Sequence, residues 1–466
     1  MAVVFCKGCR QRDREIEQLK ARLSKVEAEL ARVLGRNAGN SSMPPSAQPP
    51  GAAKPVVKEE TGNKPGGQPG HLPCHRVRLP AERVQHTVHH LPAACAFCQH
   101  PLPAEAGAND PEPTWHQTAE LPQVLADVTE HLGHARTCPH CAKVTQAVIP
   151  ADIRAHIFGP RLTAGIAYIT GGLHLSKRDA ETTVETLFGV PVSLGKISAV
   201  EQEVSAALAE PYAEAGQAVV AAASKNVDET SWKRRGKLAW LWVAVTQACS
   251  YFLIHKHRSA AAFHQLLNEA LPGIVTSDRW VVYNELDVYQ RQLCWAHLIR
   301  DFQALYETTG PGHTIGEELL CFAENIFNDW YRVRDGTLQR STLMNYINRQ
   351  RPWLRNLLEQ GSGCGCAKTA ALCRNLLALE PALWTFARVE GVEPTNNAAE
   401  RALRRAVLWR KRSFGCHSDA GCRYVERMLT VIQTLRAQQR GVLDYLAAAV
   451  TALRQAAPAP RLLGLG

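Results

Sequence analysis

The run Asn226-Val227-Asp228-Glu229-Thr230-Ser231-Trp232, the turn Arg234-Arg235-Gly236 and the apolar run Leu238-Ala239-Trp240-Leu241-Trp242-Val243-Ala244-Val245 read as the two strands of a hairpin. A third strand follows over 251–255, then helical spacing over 260–271, a short buried-type strand over 273–277 and another over 292–295. Asp228 lies within the first strand, and Asp278 directly follows the short strand reached through the helical crossover. In a sheet of this order those two strands are neighbours, so both carboxylates project together at one sheet edge.

Three meandering strands followed by alternating helix and strand is the element order of a ribonuclease H-like mixed sheet. The expected fold class is multidomain α/β. An RNase H-like catalytic domain with a helical insertion would follow a coiled coil, a zinc-binding domain and a helical segment. The expected boundaries are 1–35 coiled coil, 36–75 linker, 76–150 zinc-binding domain and 151–215 helical segment. Next come 216–304 as the first part of the catalytic domain, 305–390 as the helical insertion, 391–420 as the Glu400 helix with a basic segment, and 421–466 as a helical tail.

Glu400 is the third acid of interest. Thr395-Asn396-Asn397-Ala398-Ala399-Glu400-Arg401 opens a helix, with Thr395 or Asn396 as N-cap and Glu400 one turn in. From Glu400 to Arg427 there are 8 basic residues against 3 acidic ones, beginning with Arg401, Arg404, Arg405, Arg410, Lys411 and Arg412. A carboxylate in a basic helix is expected where a metal and a phosphate backbone meet; a solvated, salt-bridged helix is the plainer alternative. Two hard-oxygen ligands at 228 and 278 suit Mg²⁺, and a third acid completes a two-metal set for in-line phosphoryl displacement.

Further toward the N-terminus, Ser176 caps a helix with Asp179 three residues on, and that helix ends near Gly189. A second helix starts after Ser193 and runs through Ile197, Val200 and Val204. The pair resembles a helix-turn-helix, but the second helix offers Lys196 as its sole basic residue, so a helical support that never touches DNA fits as well. Cys95-x-x-Cys98 and Cys138-x-x-Cys141 together supply four thiolates for one structural Zn²⁺, closed to substrate. Residues 35–75 hold 8 Pro and 7 Gly and read as a linker. Ile16, Leu19, Leu23, Val26, Leu30 and Val33 form a heptad seam with the opposite-charge pairs Glu15/Lys20 and Arg22/Glu27. A parallel homodimer or a helix packed on its own protein satisfies that seam, and Cys6-x-x-Cys9 ahead of it offers an interchain zinc site or free thiols.

The whole chain has 466 residues, 45% hydrophobic and 21% charged, which excludes wholesale disorder and collagen-like repeats. The net charge of +10 (53 minus 43) points to a polyanionic partner, nucleic acid first. Fifteen cysteines, an odd number, with several C-x-x-C pairs suit a reducing cytoplasm. The apolar run 238–245 is far short of a membrane span, and the N-terminus carries charges where a signal peptide needs an apolar core.

Four phrases carry a resemblance. They are Val227-Asp228-Glu229-Thr230-Ser231-Trp232, Ser277-Asp278-Arg279-Trp280-Val281-Val282-Tyr283-Asn284, Leu293-Cys294-Trp295-Ala296-His297-Leu298-Ile299-Arg300-Asp301-Phe302, and Asn396-Asn397-Ala398-Ala399-Glu400-Arg401 with Arg410-Lys411-Arg412. In this order, with 49 residues between Asp228 and Asp278 and 121 between Asp278 and Glu400, the chain resembles the transposases of the insertion-sequence-66 family. The resemblance implies a DDE-type triad of Asp228, Asp278 and Glu400 holding two Mg²⁺ ions, with Mn²⁺ as a substitute, and His297 of a Cys-x-x-His motif near the scissile phosphate. A Cys294/His297 zinc site is the alternative for that pair. It also implies DNA ends and target as partners, accessory proteins of the same element, and a bacterial cytoplasmic, nucleoid-associated location. Ser231, Thr395 and Cys416 depart from the family pattern, and Cys364, Cys366 and Cys373 stand outside it. The rival readings are a non-catalytic zinc-containing DNA-binding regulator and an RNase H-fold nuclease without strand transfer.

Overall fold

The computed structural model describes residues 19–20, 22–23 and 77–464, apart from 106, 108, 109 and 122–124. The linker, Cys6, Cys9 and most of the heptad seam lie outside the described residues; Leu19 and Leu23 of the seam are helical and exposed. Residues 56–126 form one unit and the rest of the chain another. Within the first, Leu79 and Gln117 exchange two hydrogen bonds (2.8 and 3.1 Å), and Ala94 bridges Pro101.

After residue 126 the larger unit continues with the antiparallel hairpin β1 (Ala135–Thr137) and β2 (Val144–Gln146). Helices α1 (Pro160–Ala167), α2 (Lys177–Phe188), α3 (Leu194–Ala207) and α4 (Ala209–Ala221) follow. The capping chemistry read from the sequence is in place. Ser176 accepts from Asp179 N–H, Gly189 takes the left-handed conformation at φ 67°, and Ser193 accepts from Lys196 N–H. Helix α3 lies against α1 and two C-terminal helices, and Lys196 sits over the Phe158 ring at 5.5 Å.

Five strands form one sheet in the order β5-β4-β3-β6-β7. They are β3 (Ser224–Arg234), β4 (Lys237–Val245), β5 (Ser250–His255), β6 (Ile274–Ser277) and β7 (Arg291–Leu293), with α5 (Ala260–Leu267) crossing from β5 to β6. The first three are antiparallel, and β6 runs parallel to both β3 and β7. Trp242 and Val243, consecutive in β4, are both fully buried, so both faces of the sheet are covered. Trp295, expected at the end of the last strand, instead opens helix α6 (Trp295–Tyr306), because Cys294 turns the chain and Trp295 N–H donates to Pro394 O at 2.9 Å.

Two cores result. Residues from β7 through α6, α7 (Pro311–Arg334), α8 (Arg340–Gly363) and α9 (Ala367–Ala378) bury Trp295, Trp384 and Phe386 in a helical insertion. The other core joins the sheet to α1–α4 and to α10 (Asn397–Ser413), α11 (Asp419–Ala437) and α12 (Val442–Arg454). The stretch 421–466, expected as a helical tail, therefore contributes to this core. Its helix breaks at 438–441, where Gln439 adopts φ 56°.

Helix α11 also covers the exposed edge of β5. Thr434, Thr430 and Glu426, four residues apart, accept the N–H groups of Ser250, Phe252 and Ile254, two residues apart, at 3.1, 3.1 and 2.6 Å. Four helical residues rise about 6 Å and two strand residues about 6.6 Å, so the two ladders stay in step. Burial pushes the Glu426 carboxyl up to about 7. A group held above its unfolded value favours the fold at low pH, and that contribution is lost as pH rises from about 4.5 through 7. Glu426→Gln keeps the acceptor and is expected to be more stable than the parent at pH 8 by about 3 kcal/mol, with the two converging at pH 4. Denaturant unfolding at both pH values measures this; an equal difference at each would refute it.

Candidate active site

The parallel register Asn226↔Thr276, continued by two residues, sets Asp228 beside Asp278. Glu400 reaches them from the first turn of α10, a helix packed along β3 and β4. Burial, then the neighbouring carboxylates of Glu229, Asp278 and Glu400, hold the Asp228 carboxyl well above the usual range. Three carboxylates thus crowd that of Asp228 in a buried setting. Glu400 Oε1 is buried without a hydrogen bond, with His297 Nδ1 and Arg300 Nη2 each 3.7 Å away. An acid cluster with a buried, unpartnered oxygen fits hard-cation ligation.

His297 stands on the first turn of α6, and burial and Arg300 lower its pKa, which favours the neutral imidazole. Among the described residues, donor atoms of Cys294, His297 and Glu400 lie within 4.8 Å of one another, so Glu400 is a third member the Cys-x-x-His spacing did not disclose. The Cys294 thiol is pushed up to about 11 by burial, and its Sγ already accepts from Asn396 N–H at 3.1 Å.

Three residues around the acids escaped the sequence reading. Glu229, its side chain 1% exposed, accepts from Tyr283 Oη at 2.5 Å and Arg258 Nη2 at 2.6 Å. Arg258 in turn lies 4.1 Å over the Trp280 ring. Fully buried Arg291 donates to Asp278 O at 2.7 Å, to Asn284 Oδ1 at 2.8 Å and to Ser277 Oγ at 3.3 Å, which fixes the backbone beneath the second acid. The adjacent Asp-Glu pair in the first strand was the one available signal for Glu229.

On α10, Ala399, Ala402, Leu403, Ala406 and Trp409 are buried, while Arg401, Arg404, Arg405, Lys411 and Arg412 are exposed. Arg410, grouped with these as a phosphate contact, faces the strand instead. Its Nη1 donates to the carbonyl of Ser231, to Ser231 Oγ at 2.6 Å and to Thr230 Oγ1 at 3.1 Å. The departures at 231, 395 and 416 find places here too. Ser231 receives Arg410, Thr395 contributes its carbonyl to Asn226 Nδ2 at 3.2 Å, and buried Cys416 accepts from Trp232 Nε1 at 3.3 Å. Cys364, Cys366 and Cys373 lie where α8 passes to α9 in the insertion, with Cys373 buried against Gly361.

The Cys95 and Cys138 loops, each by itself, share one geometry. Cys95 N–H donates to His100 O at 2.8 Å and Gln99 N–H to Cys95 O at 2.9 Å; Cys138 N–H donates to Lys143 O at 2.8 Å and Ala142 N–H to Cys138 O at 2.9 Å. Gln99 and Ala142 both have positive φ, 61° and 54°. Backbone N–H groups of Cys98 and Phe97 lower the Cys95 pKa, and those of Cys141 and His140 do the same for Cys138.

The model of a family described as "Transposase IS66 family" matches residues 155–424 of this chain. A curated relative, "Uncharacterized protein y4qI" of Sinorhizobium fredii (strain NBRC 101917 / NGR234), is 27% identical over 206 residues, which are 41% of this chain and 38% of that protein. The chain thus spans well under half the length of that relative.

Proposed function

The chain belongs to the IS66 transposase family, and from that premise we propose that it is a DDE-type DNA transposase, cleaving DNA at insertion-sequence ends and joining the freed 3′-OH to target DNA. The observation that carries this reading is the convergence of Asp228 on β3, Asp278 at the C-terminal end of the neighbouring β6 and Glu400 on α10, three carboxylates close enough to repel one another at a buried Asp228. The strand order, a three-stranded meander continued by two parallel strands, supports an RNase H-like catalytic fold.

In the proposed site Asp228, Asp278 and Glu400 would hold two Mg²⁺ ions. When bound, the metal supplies an activated nucleophile and charge stabilisation for in-line displacement at phosphorus. Neutral His297 is available to hydrogen-bond a phosphate oxygen beside Glu400, and Arg300 offsets negative charge there. The exposed cations Arg401, Arg404, Arg405, Lys411 and Arg412 contact the DNA backbone, fixing its register without reading sequence. The heptad seam pairs two protomers, accessory proteins of the same element assist, and the setting is the bacterial cytoplasm near the nucleoid. Among the described residues no helix is long and apolar enough to cross a membrane.

The test incubates the purified chain with Mg²⁺ and DNA bearing the element's ends. End cleavage followed by joined products is the expected result. Cleavage without joining would mean a nuclease, and binding without cleavage a regulator. The thiols of Cys95, Cys98, Cys138 and Cys141 are ligands for structural zinc in this reading. Elemental analysis of the full chain is expected to find one zinc per chain from these thiols, lost with local structure in Cys138→Ser; retention of that zinc by the variant would refute the assignment.

A further inference from the structure

Asp228, Asp278 and Glu400 are carried by three different elements, and one chain of hydrogen bonds joins those elements at Cys294 and Asn396. Cys294 N–H donates to the carbonyl of Ser277, the residue before Asp278, at 2.9 Å. Cys294 Sγ accepts from Asn396 N–H at 3.1 Å. Asn396 Nδ2 donates to the carbonyl of Val227, the residue before Asp228, at 2.7 Å, and Asn396 O accepts Glu400 N–H at 3.2 Å. Both residues are buried, Cys294 at 1% and Asn396 at 0% exposure.

Asn396 occupies a helix N-cap, where asparagine ordinarily bonds its own helix, yet its side chain makes no cap bond. Its Oδ1 is buried without a partner, a second local cost. The sheet explains what is gained. Strand β6 pairs with β3 only over Ser224–Asn226, so the Val227 carbonyl has no β6 partner there, and Asn396 takes it. Asn226 Nδ2 to Thr395 O at 3.2 Å is the reciprocal link, one residue earlier on each side.

We infer that Asn396 and Cys294 are positioning residues, a buried clasp that sets the mutual spacing of Asp228, Asp278 and Glu400 and so the affinity of that carboxylate set for a divalent cation. The inference rests on the reading of these acids as a metal-holding site. Neither residue is a ligand: one contributes an amide donor and the other a sulfur acceptor, each directed at backbone.

The test is calorimetric titration of Mn²⁺ into the full-length, zinc-loaded chain, with Asp278→Asn marking the heat that belongs to the acids. Asn396→Ala and Cys294→Ala are expected to weaken that binding about 10–100-fold, the usual effect of groups that orient ligands. Cys294→Ser, which keeps an acceptor on the same Cβ, is expected to fall between Cys294→Ala and the parent. A merely structural role would lower the melting temperature of the Ala variants while leaving the Mn²⁺ affinity of the folded protein unchanged, and that result overturns the clasp. Should Asn396→Ala fail to fold, Cys294→Ala decides the matter, since it removes only the sulfur that accepts Asn396 N–H and leaves the bond from Cys294 N–H to Ser277 O in place. A parent chain that binds Mn²⁺ through these acids but cuts no DNA overturns the transposase reading and leaves the clasp standing. One with no Asp278-dependent binding overturns both.

Discussion

Asp278→Asn is expected to reduce Mg²⁺-dependent end cleavage by about 10³-fold or more while leaving DNA affinity within about threefold. The asymmetry follows from the structure. Asp278 Oδ1 accepts Trp280 N–H at 2.9 Å, and an asparagine oxygen accepts equally well, so the turn after β6 keeps its shape. Its main chain is held independently by Arg291. What disappears is one of the negative charges that crowd Asp228, and with it much of the attraction for a divalent cation. The cations proposed to touch DNA sit on the outer face of α10, remote in sequence from the change. Asp228→Asn and Glu400→Gln are expected to behave alike. Gel-shift and cleavage assays on one preparation measure both quantities, and an Asp278→Asn protein that still cuts with Mg²⁺ would end the two-metal assignment.

The largest expected effect on stability comes from Gly415→Ala. Gly415 follows the basic helix at φ 100°, a region side chains rarely occupy, and an added Cβ would lie 2.2 Å from the Lys233 carbonyl oxygen. That carbonyl accepts Cys416 N–H at 2.8 Å, and Arg235 N–H donates to Cys416 O at 2.7 Å, so the glycine lets the chain dock onto the end of β3. Neither partner is a flexible side chain able to move aside. The strained conformation and the lost pairing together are expected to cost at least about 3 kcal/mol, or a melting temperature lower by about 4 °C for a unit of this size. Gly391→Ala is the matched control: it also has positive φ, 78°, but nothing within 4 Å of the new methyl group. Thermal unfolding of the two variants separates backbone strain from close approach, and equal losses would remove the docking argument. Because α10 carries Glu400, Gly415→Ala is also expected to lower cleavage per folded molecule.

Much of the sheet was legible because strand signals are local. The alternation from Asn226, the Arg235-Gly236 turn and the unbroken apolar run of β4 each follow from nearest-neighbour chemistry, and the register then sets Asp228 beside Asp278. The caps at Ser176 and Ser193 were equally local. Other features depended on contacts the sequence does not mark. The break between α11 and α12 carries no proline, and the apolar spacing runs on both sides of Gly441, so one helix and two look alike. Arg410 belongs to a run of cations that composition assigns to solvent, yet helical phase places it one position after buried Trp409 and turns it toward β3.

The sequence by itself determined which residues carry charge, where the hairpin strands and the serine-capped helices begin, and that two acids stand on adjacent strands. Those properties arise from side-chain type and short-range periodicity. Only the tertiary structure decided which donors face which acceptors across long separations: Asn396 with Val227, Cys294 with Asn396, Arg410 with Ser231, and Glu426 with Ile254. The reason is physical. Where β6 stops short along β3, and where β5 forms the sheet edge, backbone groups must be satisfied, and the partners are whichever side chains the packed helices bring within about 3 Å.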